Sequence, residues 1–423
     1  MAVFVFIWYN RNMEIEKIVN LVKTKQKIGK DAIDNLIHCY TIGEISDEET
    51  LPFVKAVYDY DICDEDLFYL TDAMKNSGDV LDLKSLGQVV DKHSTGGVSD
   101  TTTIILVPIC ATIDTKMLKL SGRSLGFTGG TCDKLETFLG YKTDIDLDSA
   151  INLVKQNGGC MMTSSLSIAP ADKKLYALRD KTGLVDNISL IASSVMSKKL
   201  AGGADIIVLD VKYGNGAFMP TKKMAKKLGQ KMVAIGKLAG KKVKIVYGQM
   251  NQPLGFNIGS KLETMEAIKV LKGEEKGKLY CDSVRLASIC VALDKHIPYL
   301  CAKHKVKKVI KSGQALEKLK IMVKSQGGSL DLFNESYSKP SFIVKASQSG
   351  KVAMYHTKEL GEIATKIEME ANKDKSLCLG IITTKKLGDK VKKGEPLFYV
   401  FTKDNKQNKD IENKLNECII IKK

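Results

Sequence analysis

Residues 89–103 read VVDKHSTGGVSDTTT and residues 119–133 read KLSGRSLGFTGGTCD. Each runs from a short apolar stretch into Lys-x-Ser. Each carries Thr-Gly-Gly in the turn, directly after the serine in the first and further on in the second. The pattern is a strand–turn–helix unit used twice, and its physical logic is anion binding. Glycines let backbone N–H groups approach a ligand with no Cβ in the way. A helix N-terminus adds partial positive charge and unspent donors. Ser and Thr hydroxyls add hydrogen bonds, and Lys92 and Lys119 add charge. Two such turns meeting at one point suit a free phosphate dianion. No GxxxxGK[ST] occurs, the Gly122-x-x-x-Gly126 spacing is wrong for a dinucleotide fingerprint, and Gly214-Asn215-Gly216 lacks the third glycine.

The texture changes on both sides of these units. Apolar positions three or four apart (Ile15, Ile18, Val19, Val22; Ile33, Leu36, Ile37) predict amphipathic helices before Ser77. Ser46 or Asp47 caps one running through Val57, and Asp64 caps another over Glu65 to Met74. From Leu86, apolar strands alternate with glycine turns and helices. The expected strands are Gly87 to Val90, Met117 to Leu120, Ala204 to Val211 and Lys242 to Val246. Such alternation argues for a mostly parallel sheet. Helix returns between Pro170 and Leu200. Beyond Pro340, β-like runs follow at Ser341 to Lys345, Gly350 to Met354, Leu377 to Thr383 and Leu397 to Phe401. Residues 387–395 (LGDKVKKGE) form a lipoyl-like hairpin turn without the modifiable tip lysine of a carrier, which makes its role structural.

The expected fold class is therefore α/β: a small all-helical lobe, a large mixed α/β lobe and a C-terminal β-rich domain. The expected divisions are an N-terminal extension (1–12), the helical lobe in two parts (13–77 and 170–201), the α/β lobe in two parts (78–169 and 202–340) and a C-terminal α+β domain (341–423).

Composition narrows the function. The chain has 423 residues and a formal charge of +16, from 65 Lys+Arg against 49 Asp+Glu. Only four of the cations are arginines, Arg11, Arg123, Arg179 and Arg285, and the lysines lack aromatic interleaving. Nucleic-acid readout uses arginine forks and clustered charge, so no nucleic-acid partner is expected. The longest apolar run, Met1 to Tyr9, is too short for a membrane span, which needs about twenty residues. It also lacks the marks of a signal peptide, so the default address is the cytoplasm. Ten cysteines without CxxC spacing read as reduced thiols, neither a disulfide frame nor a zinc site.

A third segment bears chemistry. Arg179, Ser194 and Lys198 offer hydrogen-bond donors, and Ser194 and Lys198 share one helix face at i, i+4. Such a set suits a carbonyl-rich planar ring that gains negative charge; the bland alternative is a salt-bridge cluster around Asp180. His93, beside Lys92, is expected to be a neutral hydrogen-bond partner.

The stretches KHSTGGVSD (92–100), SGRSLGFTGGTCDKLE (121–136), PADKKLYALRD (170–180), LIASSVMSKKLA (190–201), DVKYGNGAFM (210–219) and MNQPLGFNIG (250–259) resemble, in order and spacing, the thymidine and pyrimidine-nucleoside phosphorylase family. The resemblance implies a homodimer built through the helical lobe. It also implies reversible phosphorolysis of pyrimidine nucleosides (uridine, deoxyuridine, thymidine) to free base and pentose 1-phosphate. Lys92, Ser94, Thr103, Lys119, Ser121 and Thr131 would bind phosphate. Tyr176, Arg179, Ser194 and Lys198 would hold the pyrimidine, with His93, Arg179 and Lys198 in catalytic roles. Lys119 marks the broad-specificity type, which also implies a potassium ion at Ser99, Thr101, Leu254, Asn257 and Glu266. No organic cofactor is implied. The chain departs from the family in having Ser99 and Ser124 where glycine is usual, and Phe127 for histidine. The alternatives are a thymidine-restricted phosphorylase and an anthranilate phosphoribosyltransferase-like enzyme.

Overall fold

In the first helical stretch, Ser46 and Glu49 form a capping box. The Ser46 hydroxyl accepts from the Glu49 N–H at 3.2 Å, and the Glu49 carboxylate accepts from the Ser46 N–H at 2.8 Å. This starts the helix Asp47–Tyr60, longer than the expected end at Val57. The next helix, Asp64–Asn76, is capped by Cys63, not by Asp64: the Cys63 thiol accepts from the Asp66 N–H. Asp64 instead contributes its charge to the first turn, where it favours the helix dipole. The computed structural model describes residues 14–124, 126–164, 167–370, 374–404 and 408–423; the expected extension 1–12 lies outside them.

The chain divides into two compact units. The first gathers three stretches, ending at Ser85, Ile207 and Ile245. Its helices include residues 14–23, Lys30–Ile42, Asp47–Tyr60, Asp64–Asn76, Pro170–Thr182 and Ile188–Ala201. Ile33, Leu36 and Ile37 are buried, as their spacing requires, with Phe53, Val57, Leu67 and Leu70. Buried Asp66 accepts from the N–H groups of Ile28 and Gly29, which fixes the entry to the Lys30–Ile42 helix. Thr71 and Ser193 share a hydrogen bond of 2.8 Å between the Asp64–Asn76 and Ile188–Ala201 helices.

The second unit holds Leu86–Ser164, Val208–Ala225 and Val246–Lys423. Strands β1 (Val90–Ser94), β2 (Met117–Ser121) and β3 (Gly159–Thr163) build its α/β part with β4 (Ile206–Tyr213) from Val208 onward and β5 (Lys242–Gln249) from Val246 onward. One sheet has the order β1-β4-β5, and β2 pairs with β3 in parallel, Met117 opposite Gly159 through Ser121 opposite Thr163. β1 runs beyond its expected end at Val90, through polar Asp91 to Ser94, because those polar groups are paired inside the unit. The helix Thr102–Thr112 is buried on all faces from Thr102 to Ala111, which fits its near-continuous apolar sequence.

C-terminal strands are antiparallel. They are β6 (Asn257–Ile258), β7 (Phe342–Lys345), β8 (Gly350–Tyr355), β9 (Gly380–Thr383), β10 (Lys390–Val391), β11 (Pro396–Phe401) and β12 (Ile419–Lys422). Two sheets result, β6-β9-β11-β7 and β10-β8-β12. They close over one apolar cluster that includes Tyr355, Leu360, Phe398 and Val400. Phe127 joins this cluster and packs against Phe218 with ring centres 5.1 Å apart, so the residue standing for a usual histidine has a packing role. Among the described residues no helix is long and apolar enough to cross a membrane, and no disulfide joins the cysteines.

Candidate active site

β1 ends at Ser94, and the chain turns through Thr95 to Thr101 into the helix that opens at Thr102. Gly96 takes a left-handed φ of 89°, and its N–H donates to the Ser94 hydroxyl at 3.2 Å. The Lys92 ammonium donates to the Thr102 hydroxyl at 2.7 Å. The Ser94 and Thr102 hydroxyls both donate to Asp100, so Lys92, Ser94 and the first helical turn are brought together. Thr103 lies buried in that turn.

The second turn repeats the plan. β2 ends at Ser121, and a short helix opens at Thr131. The Val90 N–H donates to the Lys116 carbonyl at 3.0 Å, which sets β1 beside the entry to β2. A Cβ on Gly130 would lie 2.2 Å from the backbone of Arg123 and Ser124, so the close return of the turn requires glycine. Arg123 forks onto Glu136 at 2.8 and 2.9 Å. This arginine therefore braces the turn. The buried Ser121 hydroxyl has no hydrogen-bond partner among the described residues. A buried hydroxyl in that state is a ready donor for a ligand oxygen. The Lys119 ammonium donates to the Leu120 carbonyl at 2.6 Å and lies 3.6 Å from Asp91.

Beneath the first turn lies a network of buried ions that sequence reasoning missed. Lys212 sits 2.8 Å from Asp210 and 3.8 Å from Asp100, and Lys92 sits 3.6 Å from Asp210. Lys134 pairs with Glu263 at 2.6 Å and donates to the Asp100 carbonyl at 3.0 Å. Burial alone would raise the Asp100 carboxyl. The Lys212 and Lys92 ammoniums and the Ser94 and Thr102 hydroxyls outweigh it and hold the group well below the ordinary carboxylate range. Lys212 is shifted the opposite way: burial opposes its charge, and Asp100 and Asp210 override that and raise it. In DVKYGNGAFM these residues read only as strand and turn. The signal was an Asp-x-Lys with both side chains on one face of a strand.

In the first unit, Asn187 caps the Ile188–Ala201 helix through the Leu190 N–H at 2.9 Å. That helix sets Ser194 one turn before Lys198, whose ammonium donates to the Ser194 hydroxyl at 3.2 Å and pairs with Asp172. The carboxylate of this cluster is thus Asp172, not Asp180; it lies in the first turn of the Pro170–Thr182 helix. Arg179 is 3% exposed, and each of its three nitrogens donates to a backbone carbonyl, of Leu184, Leu190 and Val185. Each terminal nitrogen keeps a second N–H. Tyr176 is exposed on the same helix. His93, in β1, is half-buried in the second unit.

The five positions implied for potassium gather around one loop. The Ser99 hydroxyl accepts from the Gly255 N–H at 3.0 Å, and the Leu254 N–H donates to the Val98 carbonyl at 3.1 Å. Glu266 accepts from the N–H groups of Phe256 and Asn257 at 2.7 and 2.9 Å. Thr101 donates to Glu263 at 2.8 Å, and the Asn257 side chain donates to Leu262 and Tyr337. Positive charge already stands on this loop: the Lys386 ammonium donates to the Pro253 and Gly255 carbonyls. Burial pushes Glu266 up to about 7 and pulls Lys386 down to about 8, and their mutual attraction opposes both shifts. Ser99, Thr101, Asn257 and Glu266 offer side-chain oxygens and all five positions offer backbone carbonyls, an oxygen set of the kind a hard cation takes. Ser99 itself has φ 61°, the left-handed region where glycine is favoured.

Both strand–turn–helix units lie in a segment that matches a glycosyl-transfer enzyme class. Residues 86–316 match the glycosyl transferase family, a/b domain, and residues 351–422 match the pyrimidine nucleoside phosphorylase C-terminal domain. The chain is 42% identical to the pyrimidine-nucleoside phosphorylase of Bacillus subtilis (strain 168) over 93% of each chain. It is 41% identical to that of Staphylococcus haemolyticus (strain JCSC1435), over 97% of this chain and 96% of that protein. The chain belongs to the pyrimidine-nucleoside phosphorylase family. Its fold is also similar to a crystal structure of anthranilate phosphoribosyltransferase from Thermus thermophilus, with a TM-score of 0.59 over 73% of this chain and 99% of that one. At 16% identity that likeness concerns the fold alone.

Proposed function

We propose that the chain catalyses the reversible phosphorolysis of pyrimidine nucleosides of the broad type: uridine, deoxyuridine and thymidine. Hydrogen phosphate is held by the second unit through Lys92, Ser94, Thr103, Ser121 and Thr131, with Lys119 adding longer-range charge. One phosphate oxygen attacks C1′ from the face opposite the base. The C1′–N1 bond breaks, its electron pair leaves with the base, and the phosphate proton ends on the base. The products are the free pyrimidine and a pentose 1-phosphate.

Lys198 and Ser194, with the remaining N–H groups of Arg179, stabilise the negative charge gathering on the ring carbonyls. Tyr176 flanks the ring, and His93 assists departure of the base. No covalent intermediate and no step through a metal ion is needed. The protein works as a cytoplasmic homodimer through its helical lobe.

The observation that carries this reading is the buried Ser121 hydroxyl, left without a partner among the described residues at the second of two matching strand ends. Uracil release from uridine, with and without phosphate, tests it. Release should require phosphate and yield a sugar phosphate. Release without phosphate, or none with it, overturns the reading. A panel of uridine, deoxyuridine and thymidine separates the broad type from a thymidine-restricted one, and sedimentation velocity reads the dimer.

A further inference from the structure

One buried ion pair of the second unit takes no part in the reaction, yet it touches both phosphate turns. Lys134 lies in the short helix that opens at Thr131 on the second turn. Its backbone N–H donates to the Gly130 carbonyl at 3.1 Å. A Cβ on Gly129 would lie 3.2 Å from its side chain, so the stem passes close against the Thr-Gly-Gly bend. The ammonium then reaches the first turn. It donates to the Asp100 carbonyl at 3.0 Å and pairs with Glu263 at 2.6 Å.

Glu263 completes the connection. Its carboxylate also accepts from the Thr101 hydroxyl of the first turn at 2.8 Å and from the Gly259 N–H at 3.3 Å. It stands in the first turn of the helix Ser260–Lys272, and the next residue, Thr264, donates its hydroxyl to the Lys134 carbonyl at 3.0 Å. One helix end thus holds Lys134 by both its backbone and its tip. Lys134 and Glu263 are each 1% exposed, so water does not compete for these bonds. The Asp100 carboxylate accepts from the Ser94 and Thr102 hydroxyls, and Thr102 accepts from Lys92. A continuous path therefore runs from Thr131 through Lys134 and Asp100 to Ser94 and Lys92.

We propose that the Lys134–Glu263 pair is a clamp that fixes the spacing of the two turns, and that phosphate affinity depends on it. A dianion gains from donors on both turns only when their separation is preset; otherwise binding must first order them, and affinity falls. The pair is neutral as a whole, so its influence on an anion is geometric. Neither residue meets the reacting atoms; both are positioning residues. The identity of the anion rests on the phosphorolysis reading.

The test follows phosphate binding by the full chain through the rise in melting temperature on adding sodium phosphate, against sodium chloride at matched ionic strength. Lys134→Met keeps the stem and removes the ammonium. Lys134→Met combined with Glu263→Gln removes both charges, so that neither is left buried alone. Both proteins should bind phosphate about ten-fold or more weakly, the size of a lost hydrogen bond to a charged group. In steady state the phosphate KM should rise by the same factor while the uridine KM stays within about two-fold. Thr115→Val is the control. It removes a buried hydroxyl bonded to Asp294 at 2.7 Å, just before β2 and so at the far end of that strand from the second turn. It should lower the melting temperature and leave phosphate affinity unchanged. Unchanged phosphate affinity in the double variant, or an equal loss in Thr115→Val, overturns the clamp. Should neither Lys134 variant fold, Thr264→Val frees only the Lys134 carbonyl and should weaken phosphate about two- to five-fold; no change there also overturns it. Absence of a phosphate-induced rise in the unaltered protein fails the phosphorolysis reading and the clamp with it, whereas a rise that the variants keep in full fails the clamp alone.

Discussion

The Lys212 ammonium lies 2.8 Å from the Asp210 carboxylate, and both side chains are almost wholly buried. Lys92 and Asp100 complete the cluster, so two cations face two anions beneath the first turn. The arrangement is neutral and holds its hydroxyls in place before any ligand arrives. Buried charge of this kind is costly to uncouple, because the partner left behind has no water to turn to.

Lys212→Met should therefore lower the unfolding free energy by about 3–5 kcal/mol, measured by urea denaturation. The exposed pair Lys358–Glu362, at 3.9 Å, supplies the contrast. Lys358→Ala should change stability by less than about 1 kcal/mol. Equal effects would show that burial is not what gives the Lys212 cluster its weight.

Acid sensitivity follows from Asp100. Its folded pKa is depressed below the unfolded value of about 3.9. A group of that kind contributes stability above the unfolded pKa, and the contribution is lost as pH falls toward the folded one. Asp100→Asn should start less stable at neutral pH and then lose less on acidification from about pH 5 to about pH 3 than the unaltered protein. Circular dichroism of urea unfolding at stepped pH compares the two slopes; parallel slopes would contradict the assignment.

Lys198→Met should reduce kcat for uridine phosphorolysis by about 100-fold or more at saturating phosphate. The phosphate KM should move little, because Lys198 belongs to the donor cluster of the first unit. Steady-state uracil release gives both constants, and a change in the phosphate KM alone would remove Lys198 from its role.

Ser99→Gly should alter stability by less than about 1 kcal/mol, because two effects of similar size oppose each other. Relief of the left-handed φ gains about 1–2 kcal/mol, and loss of the bond from Gly255 costs about 0.5–1.5 kcal/mol. Ser99→Val keeps the strain and loses the bond, so it should destabilise by about 2 kcal/mol or more. Thermal melting of both proteins reads the difference.

Local chemistry made much of this molecule legible. β2 ends at Ser121, just past its expected end at Leu120, whereas β1 runs on from Val90 to Ser94 because paired polar groups, not apolar character, carry it. Ser46 starts its helix through Glu49, three residues away. β3 (Gly159–Thr163) escaped because Gly-Cys-Met-Met-Thr has neither alternation nor a run of branched side chains; its strand character comes from pairing with β2. The partners of the site lysines escaped for a different reason. Asp210 lies far along the chain from Lys92, Glu263 from Lys134, and Lys386 from the Pro253 loop. No periodicity carries such a pairing. Asp172 and Lys198 are nearer in sequence, but they sit on separate helices whose packing only the folded unit fixes.

The first unit is assembled from stretches that end at Ser85, Ile207 and Ile245, with other chain in between. A nascent polypeptide that has emerged only to Ser85 holds the Asp64–Asn76 helix without the Ile188–Ala201 helix it packs against. That helix must wait, half-clad, while well over a hundred further residues are synthesised at about 5–20 per second. Birth order on the ribosome and order of folding are thus uncoupled here, and the earliest helices spend seconds with their apolar faces open to chaperones.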